Sequence, residues 1–178
     1  PDIELKRYYR GLHSFRTGYF GFGWTFSYEL SLRRVTDGQE HLVILMPNGQ
    51  VFKFYPQDNN TYAGPNGMGV VLMNNSEKQY VLTGSDNEKT YYFSSDGKLT
   101  QITDKFGKSI FLTYNNDCIE TISSSDGRTL VFTKGVNGKI ATVADHTGRM
   151  ILYEYDADGN LTGCTNPQGN SQSYTYQS

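Results

Sequence analysis

The stretch SSDGKLTQITDKFGKS, residues 94–109, decides the fold once it is laid over the rest of the chain. Comparable stretches return as NNDCIETISSSDGRT (115–129), VNGKIATVADHTGRM (136–150) and ADGNLTGCTNPQGNS (157–171). Aligned on Gly97, the same place is taken by Asp117, Gly138 and Gly159, at spacings of 20, 21 and 21 residues. A second column, Gly107, Gly127, Gly148 and Gly169, keeps the same spacings. Such repetition builds architecture: one short unit cannot bury its own apolar side, and stacking on its neighbours supplies the core.

Between the two columns the side chains fall into rows. Two residues after the first column stand Leu99, Ile119, Ile140 and Leu161; five after it stand Ile102, Ile122, Val143 and Cys164. Seven after it come Asp104, Ser124, Asp145 and Asn166, small polar residues that start turns. Behind the second column, Ile110, Leu130, Ile151 and Gln172 lie at the third position, and Leu112, Phe132, Tyr153 and Tyr174 at the fifth. The seventh holds Tyr114, Lys134, Tyr155 and Tyr176. Spacing by two is the period of a strand, and Asp-Gly and Asn-Gly favour tight hairpin turns. Each unit therefore reads as two antiparallel strands and two turns. A Gly or Asn-Gly about every ten residues leaves no window for a helical period. The fold class is all-β, built of antiparallel β-hairpin repeats in one long sheet whose outer edges stay open to pairing between copies.

Three segments are predicted. Residues 86–178 carry the repeats, with Asp86-Asn87 marking where the pattern begins. Residues 25–85 form a β-meander leading into them: Phe26, Tyr28, Leu30 and Leu32 alternate, Asp37-Gly38 turns, and His41–Met46 is a nearly unbroken apolar run. Pro47-Asn48-Gly49 turns again into Val51–Tyr55, residues 56–69 read as a loop, and short strands come next at 70–73, 79–83 and 90–93. Residues 1–24 crowd aromatics around Gly18, Gly21 and Gly23, as expected of a cap or plug over the end of a sheet.

Composition narrows the function. Sixteen basic against eighteen acidic side chains give a net charge of -2, no footprint for nucleic acid. No apolar run approaches the ~20 residues of a membrane helix. Two cysteines are too few for a disulfide framework and fit no C-x-x-C metal spacing. A start at Pro1, without Met or an apolar leader, reads as an excised piece.

The chain resembles the Rhs family of YD-repeat proteins, whose relatives include toxin-complex shells and teneurins. The residues that carry the resemblance are the units ending Tyr114-Asn115-Asn116-Asp117 and Tyr155-Asp156-Ala157-Asp158-Gly159-Asn160-Leu161. With them go the spaced L-x-x-I-x-D-x-x-G-K/R patterns from Leu99 to Lys108 and Ile140 to Arg149. Gly21-Phe22-Gly23-Trp24-Thr25-Phe26-Ser27-Tyr28-Glu29 looks like the stretch that introduces the repeats in many Rhs chains. The resemblance implies a curved or spiralling sheet, a partial β-shell. It further implies that the shell encloses a C-terminal polymorphic toxin of the same chain until delivery to a neighbouring cell. The localisation so implied is secreted, cell-surface, or exported by a bacterial secretion system.

Candidate sites are weighed against plain packing. Tyr114, Tyr153, Tyr155, Tyr174 and Tyr176 form a row able to face a ligand such as a sugar ring, although cross-strand packing fills such a row in any case. Asp104, Asp126, Asp145 and Asp158 fall at turns, and turn chemistry accounts for them better than calcium or glycoside hydrolysis. His13, His41 and His146 lie far apart and form no metal motif. Cys164 shares an apolar row and is expected to be buried; Cys118 comes just after a turn and is expected to be exposed. Arg7, Arg10 and Arg16 read as a solvated basic surface rather than a contact to shell or cargo. No catalytic, cofactor or metal residues are assigned, and a non-enzymatic scaffold is the leading expectation. A carbohydrate- or cell-surface-binding module is the alternative, and a polysaccharide-active enzyme the third. Expected partners are the rest of the chain with its toxin, glycan under the alternative, and a second copy through open edges.

Overall fold

A computed structural model describes residues 1–11, 17–65, 71–74, 79–84 and 88–176. Asp86-Asn87, His13 and Arg16 lie outside the described residues, as do Asn66–Gly69 at the end of the expected loop. The elements among the described residues are strands. They are β1 (Arg7–Tyr9), β2 (Thr17–Gly18), β3 (Gly21–Phe22), β4 (Trp24–Phe26), β5 (Ser31–Asp37), β6 (Gln39–Leu45), β7 (Val51–Pro56), β8 (Thr61–Ala63), β9 (Val71–Asn74) and β10 (Tyr80–Thr83). They continue as β11 (Lys89–Phe93), β12 (Leu99–Asp104), β13 (Ser109–Asn115), β14 (Cys118–Ser124), β15 (Thr129–Lys134), β16 (Ile140–Asp145), β17 (Met150–Tyr155), β18 (Leu161–Thr165) and β19 (Ser171–Ser173).

The chain divides into two compact units. The first comprises Pro1–Glu4, Ser27–Phe111 and Ser124–Asp126; the second comprises Leu5–Phe26, Leu112–Ser123 and Gly127–Ser178.

In the first unit, β5 to β12 and the start of β13 pair in chain order, each antiparallel to the next. Leu32, Leu42, Ile44, Phe54, Leu72, Phe93 and Leu99 fill its core. The expected loop at 56–69 contains a strand instead. Asn59 and Asn60 take left-handed φ values of 62° and 58°, and the Gln57 N–H donates to the Thr61 carbonyl at 2.8 Å across a three-residue turn. The chain therefore reverses at once, and β8 pairs with β7 through Tyr55↔Ala63 and Pro56↔Tyr62. A bare count of polar residues reads these asparagines as loop; their tolerance of positive φ is what makes the turn tight.

Gly97 ties this unit together. Its carbonyl accepts from the Leu32 N–H at 2.9 Å, and a Cβ built on it would stand 1.9 Å from the Leu32 carbonyl oxygen.

In the second unit β14 to β19 pair in chain order, with Ile122↔Leu130, Phe132↔Val143, Val143↔Ile151 and Tyr153↔Cys164 set opposite one another. The two rows behind the first column are buried in both units, from Leu99 at 0 % exposure to Cys164 at 8 %. The turn chemistry is equally regular. At the second column Gly148 donates to the Asp145 carbonyl at 2.9 Å, Asp145 donates to the Arg149 carbonyl at 2.9 Å, and the glycine φ is +86°. This is the three-residue hairpin loop with glycine at its left-handed position. Asp117, which replaces glycine in the first column, carries φ +63° itself beside Asn116 at +47°. That turn is shorter, so β14 begins at Cys118 with its side chain inward and 7 % exposed. The expectation of an exposed Cys118 is thus corrected, and Cys164 is buried as its row requires. Both are free thiols.

Candidate functional site

Two of the repeat hairpins leave a backbone carbonyl beyond the ladder, and a tyrosine meets it in each. The β16–β17 ladder ends at the pair Thr142↔Leu152, so the carbonyl of Ile140 lies beyond the last rung. The Tyr155 hydroxyl donates to that carbonyl at 2.7 Å. One unit later the β18–β19 ladder ends at Gly163↔Ser173, and the Tyr176 hydroxyl donates to the Leu161 carbonyl at 2.5 Å. The residue directly after Tyr155 then closes the next turn: Asp156 Oδ1 accepts from the N–H groups of Asp158 at 3.1 Å and Asn160 at 2.8 Å. The Tyr-Asp pair therefore locks the hairpin behind it and the turn ahead. Tyr155→Phe should cost about 1–2 kcal/mol, because it leaves a buried carbonyl without its donor. Urea denaturation checks this, and an unchanged midpoint would mean water replaces the phenol.

The aspartates stand where turn chemistry places them. Asp145 Oδ1 accepts from Thr147 N at 2.9 Å and Arg149 N at 3.1 Å, and Oδ2 from Arg149 Nε at 2.7 Å. Asp104 Oδ1 caps its turn through Phe106 N and Lys108 N, and Asp126 Oδ1 accepts from the Ser124 hydroxyl. Asp158 lies in the turn that Asp156 closes. The Thr147 hydroxyl first, and then the Arg149 guanidinium, hold the Asp145 carboxyl far below the usual carboxylate range. A carboxylate depressed in the folded state adds stability above its unfolded pKa of ~3.9, and that stability disappears as pH falls through the folded value. Asp145→Asn should therefore flatten the loss of stability below about pH 4 while keeping the turn. Asn166 already serves the equivalent turn with its amide oxygen, at 3.0 Å from Gln168 N and 2.9 Å from Asn170 N. Urea midpoints between about pH 2 and 7 decide it; an unchanged acid limb in the variant would refute the role.

The second unit also assembles an aromatic surface between its N-terminal segment and its repeats. β1 pairs with β4 through Tyr8↔Thr25 and Tyr9↔Trp24, and β2 with β3 through Thr17↔Phe22. The segment lies across the inward face of the repeat strands. Phe26 meets Phe132 on β15 with ring centroids 5.8 Å apart, and Phe20 meets Tyr153 on β17 at 4.8 Å. The backbone joins too, Ile140 N donating to the Tyr19 carbonyl at 2.9 Å. Gly21 has φ +97°, and a Cβ there would stand 2.7 Å from the Gly159 carbonyl oxygen, so only glycine permits this approach.

Three of the candidate tyrosines, Tyr153, Tyr174 and Tyr176, are engaged in this packing. Tyr153 is 6 % exposed between Phe20 and Arg7. Tyr174 lies edge-on to Trp24 at 5.0 Å, and Tyr176 packs on Tyr9 at 5.5 Å while accepting from Trp24 Nε1 at 2.8 Å. Tyr155 gives its hydroxyl to Ile140, and Tyr114, in β13, is half-buried. Burial pushes the phenols of Tyr153 and Tyr155 well above their ordinary range. They stay protonated at any physiological pH; the Tyr155 hydroxyl acts as a donor, and both rings serve as apolar surface.

Arg7 differs most from its sequence reading. Its guanidinium sits over the rings of Trp24, Tyr153 and Tyr174, at 5.5, 5.1 and 5.9 Å, and donates to the Tyr174 hydroxyl at 3.2 Å. A cation sandwiched between aromatics is not a solvated patch. Arg10 is exposed. The alternation in Arg7-Tyr8-Tyr9 is the available signal, since a strand so near the aromatic cluster must point one of these side chains inward. His41 is buried against Tyr55 in the first unit, and His146 is an exposed turn residue. Among the described residues no three His, Cys, Asp or Glu side chains gather as a metal site would require.

Residues 136–171 match the family model described as RHS Repeat, and residues 1–54 match Domain of unknown function (DUF6531). Residues 136–171 therefore carry an Rhs repeat, and this match supports assignment of the chain to the Rhs/YD-repeat family. The matched RHS repeat thus contains the hairpin and turn that Tyr155 and Asp156 close. Teneurin-3 of Mus musculus is 28 % identical over 120 residues, 53 % of this chain. Teneurin-m of Drosophila melanogaster is 30 % identical over 117 residues, 50 % of this chain, and Teneurin-1 of Gallus gallus 28 % over 107 residues, 47 % of it. The matched region is about 4 % of the length of each of these relatives.

Proposed function

We propose that this Rhs-repeat chain is a wall segment of a shell that encloses a C-terminal toxin of its own protein until delivery to a neighbouring cell. The observation that supports it most is the self-contained hairpin unit. Tyr155 closes the carbonyl of Ile140, Asp156 closes the turn after it, and Tyr176 repeats the first step 21 residues on. Units closed by their own side chains can be added in series with no ligand or metal, which is what a wall of arbitrary length needs. Its mechanism is exclusion rather than chemistry. The phenols are held protonated, the aspartates are committed to turns, and the role is non-enzymatic. A protein of this kind works outside the cell that makes it, at a surface or after export.

A glycan-binding role has less support, because Tyr153, Tyr174 and Tyr176 commit their rings to residues 7–24 of the same unit. The test is protease protection in the intact protein. The polypeptide C-terminal to the repeats should resist a protease that degrades the same polypeptide made alone, and equal cleavage of the two would overturn the proposal.

A further inference from the structure

Arg7 brings a half-buried permanent charge against aromatic rings with no counter-ion among the described residues. Three aromatic faces and one phenol oxygen surround it, but its Nη1 is buried and has no hydrogen-bond partner. The hydroxyl of Tyr153, a side chain 6 % exposed, is likewise buried and unpartnered. Both residues line one cleft of about 280 Å³ in the second unit. Leu5 and Ile151 give it apolar walls, the amides of Asn166, Asn170 and Gln172 are further polar groups on its lining, and none of the lining residues is acidic.

Two unmet donors on residues that line one cleft define what would satisfy them. A half-buried guanidinium with no anion is costly, and aromatic faces offset only part of that cost. A buried hydroxyl with no acceptor adds its own penalty. The missing group must carry negative charge and at least two acceptor oxygens, one for Arg7 Nη1 and one for the Tyr153 hydroxyl. A planar carboxylate matches the guanidinium best, and the amides can complete its shell. The volume lies near the lower end of ligand pockets, about 300 Å³, which suits a small carboxylate or one acidic side chain.

We propose that the cleft between Arg7 and Tyr153 is a carboxylate-binding site. The site stands on its own geometry and holds whether or not the wall reading does. The carboxylate has two sources with the same chemistry, a free small acid or a Glu side chain of a peptide.

The experiment uses the intact protein in chloride buffer, with calorimetry and thermal denaturation as readouts. Succinate is one probe. A short peptide with a single Glu is the other, with the same peptide carrying Gln as its control. At least one probe should bind saturably and raise the Tm. Tyr153→Phe keeps the ring against Phe20 and under Arg7 while removing the hydroxyl, so it should fold and bind about tenfold more weakly. Arg7→Lys keeps the charge but loses the planar fork, and should also weaken binding about tenfold. Succinate binding without peptide binding makes the ligand a free acid; the reverse makes it a polypeptide side chain. Binding of neither probe, or equal binding by wild type and Tyr153→Phe, overturns the proposal.

Discussion

Gly97→Ala is expected to destabilise the first unit by about 3–5 kcal/mol, adding a left-handed backbone penalty to a steric clash. The φ at Gly97 is +84°, and its new Cβ would stand 1.9 Å from the Leu32 carbonyl oxygen and 2.9 Å from the carbonyl carbon. Backbone cannot yield as a flexible side chain can, and the Leu32 N–H bond to the Gly97 carbonyl would be broken by any retreat. Gly107→Ala is the matched control. Its φ of +81° is nearly the same, yet nothing lies within 4 Å of the added methyl. That variant should lose only the backbone component, about 1–2 kcal/mol. Urea denaturation monitored by circular dichroism separates them. Equal losses would mean that the approach of Leu32 to this turn contributes nothing.

Phe20→Ala should cost the second unit about 3–5 kcal/mol, the range for emptying a buried phenylalanine site. Phe20 is fully buried, edge-on to Phe26 at 5.5 Å and to Tyr153 at 4.8 Å. The cavity would sit between the N-terminal segment and the repeats, so the segment should loosen before the hairpins do. Trp24, the single tryptophan of the chain, reports on this directly. Its fluorescence should shift to longer wavelength at lower urea than the circular dichroism change. Tyr153 supplies a second readout: with burial relieved, its phenol should titrate closer to its ordinary value near ~10. Phe106→Ala is the control, since that ring is 79 % exposed and its loss should stay within about 0.5 kcal/mol. A Phe20→Ala midpoint equal to that of Phe106→Ala would show that the segment is not held by its aromatics.

The repeats were legible because their code is local. Alternation assigns each side chain to a face, and glycine or asparagine marks positive φ, so the rows ending in Leu161 and Cys164 could be placed without knowing any neighbour. The Tyr-Asp spacing was equally visible, but not its reason. That the Tyr155 hydroxyl reaches Ile140 depends on where the β16–β17 ladder stops, which no spacing announces.

What escaped the sequence came from subtler turns and from distant contacts. Two asparagines with positive φ turned part of an expected loop into β8, and the short Asn116-Asp117 turn brought Cys118 inward. Arg7 is the extreme case, for its hydrogen-bond partner Tyr174 lies 167 residues away along the chain. The sequence by itself determined the hairpins, their turns and their buried rows, since each depends on residues a few positions apart. Only the tertiary structure decided that the N-terminal segment covers the repeat face and that Arg7 meets Tyr153 in a cleft. Aromatic packing is non-directional along the chain, and which ring fills which site is set by the whole unit at once.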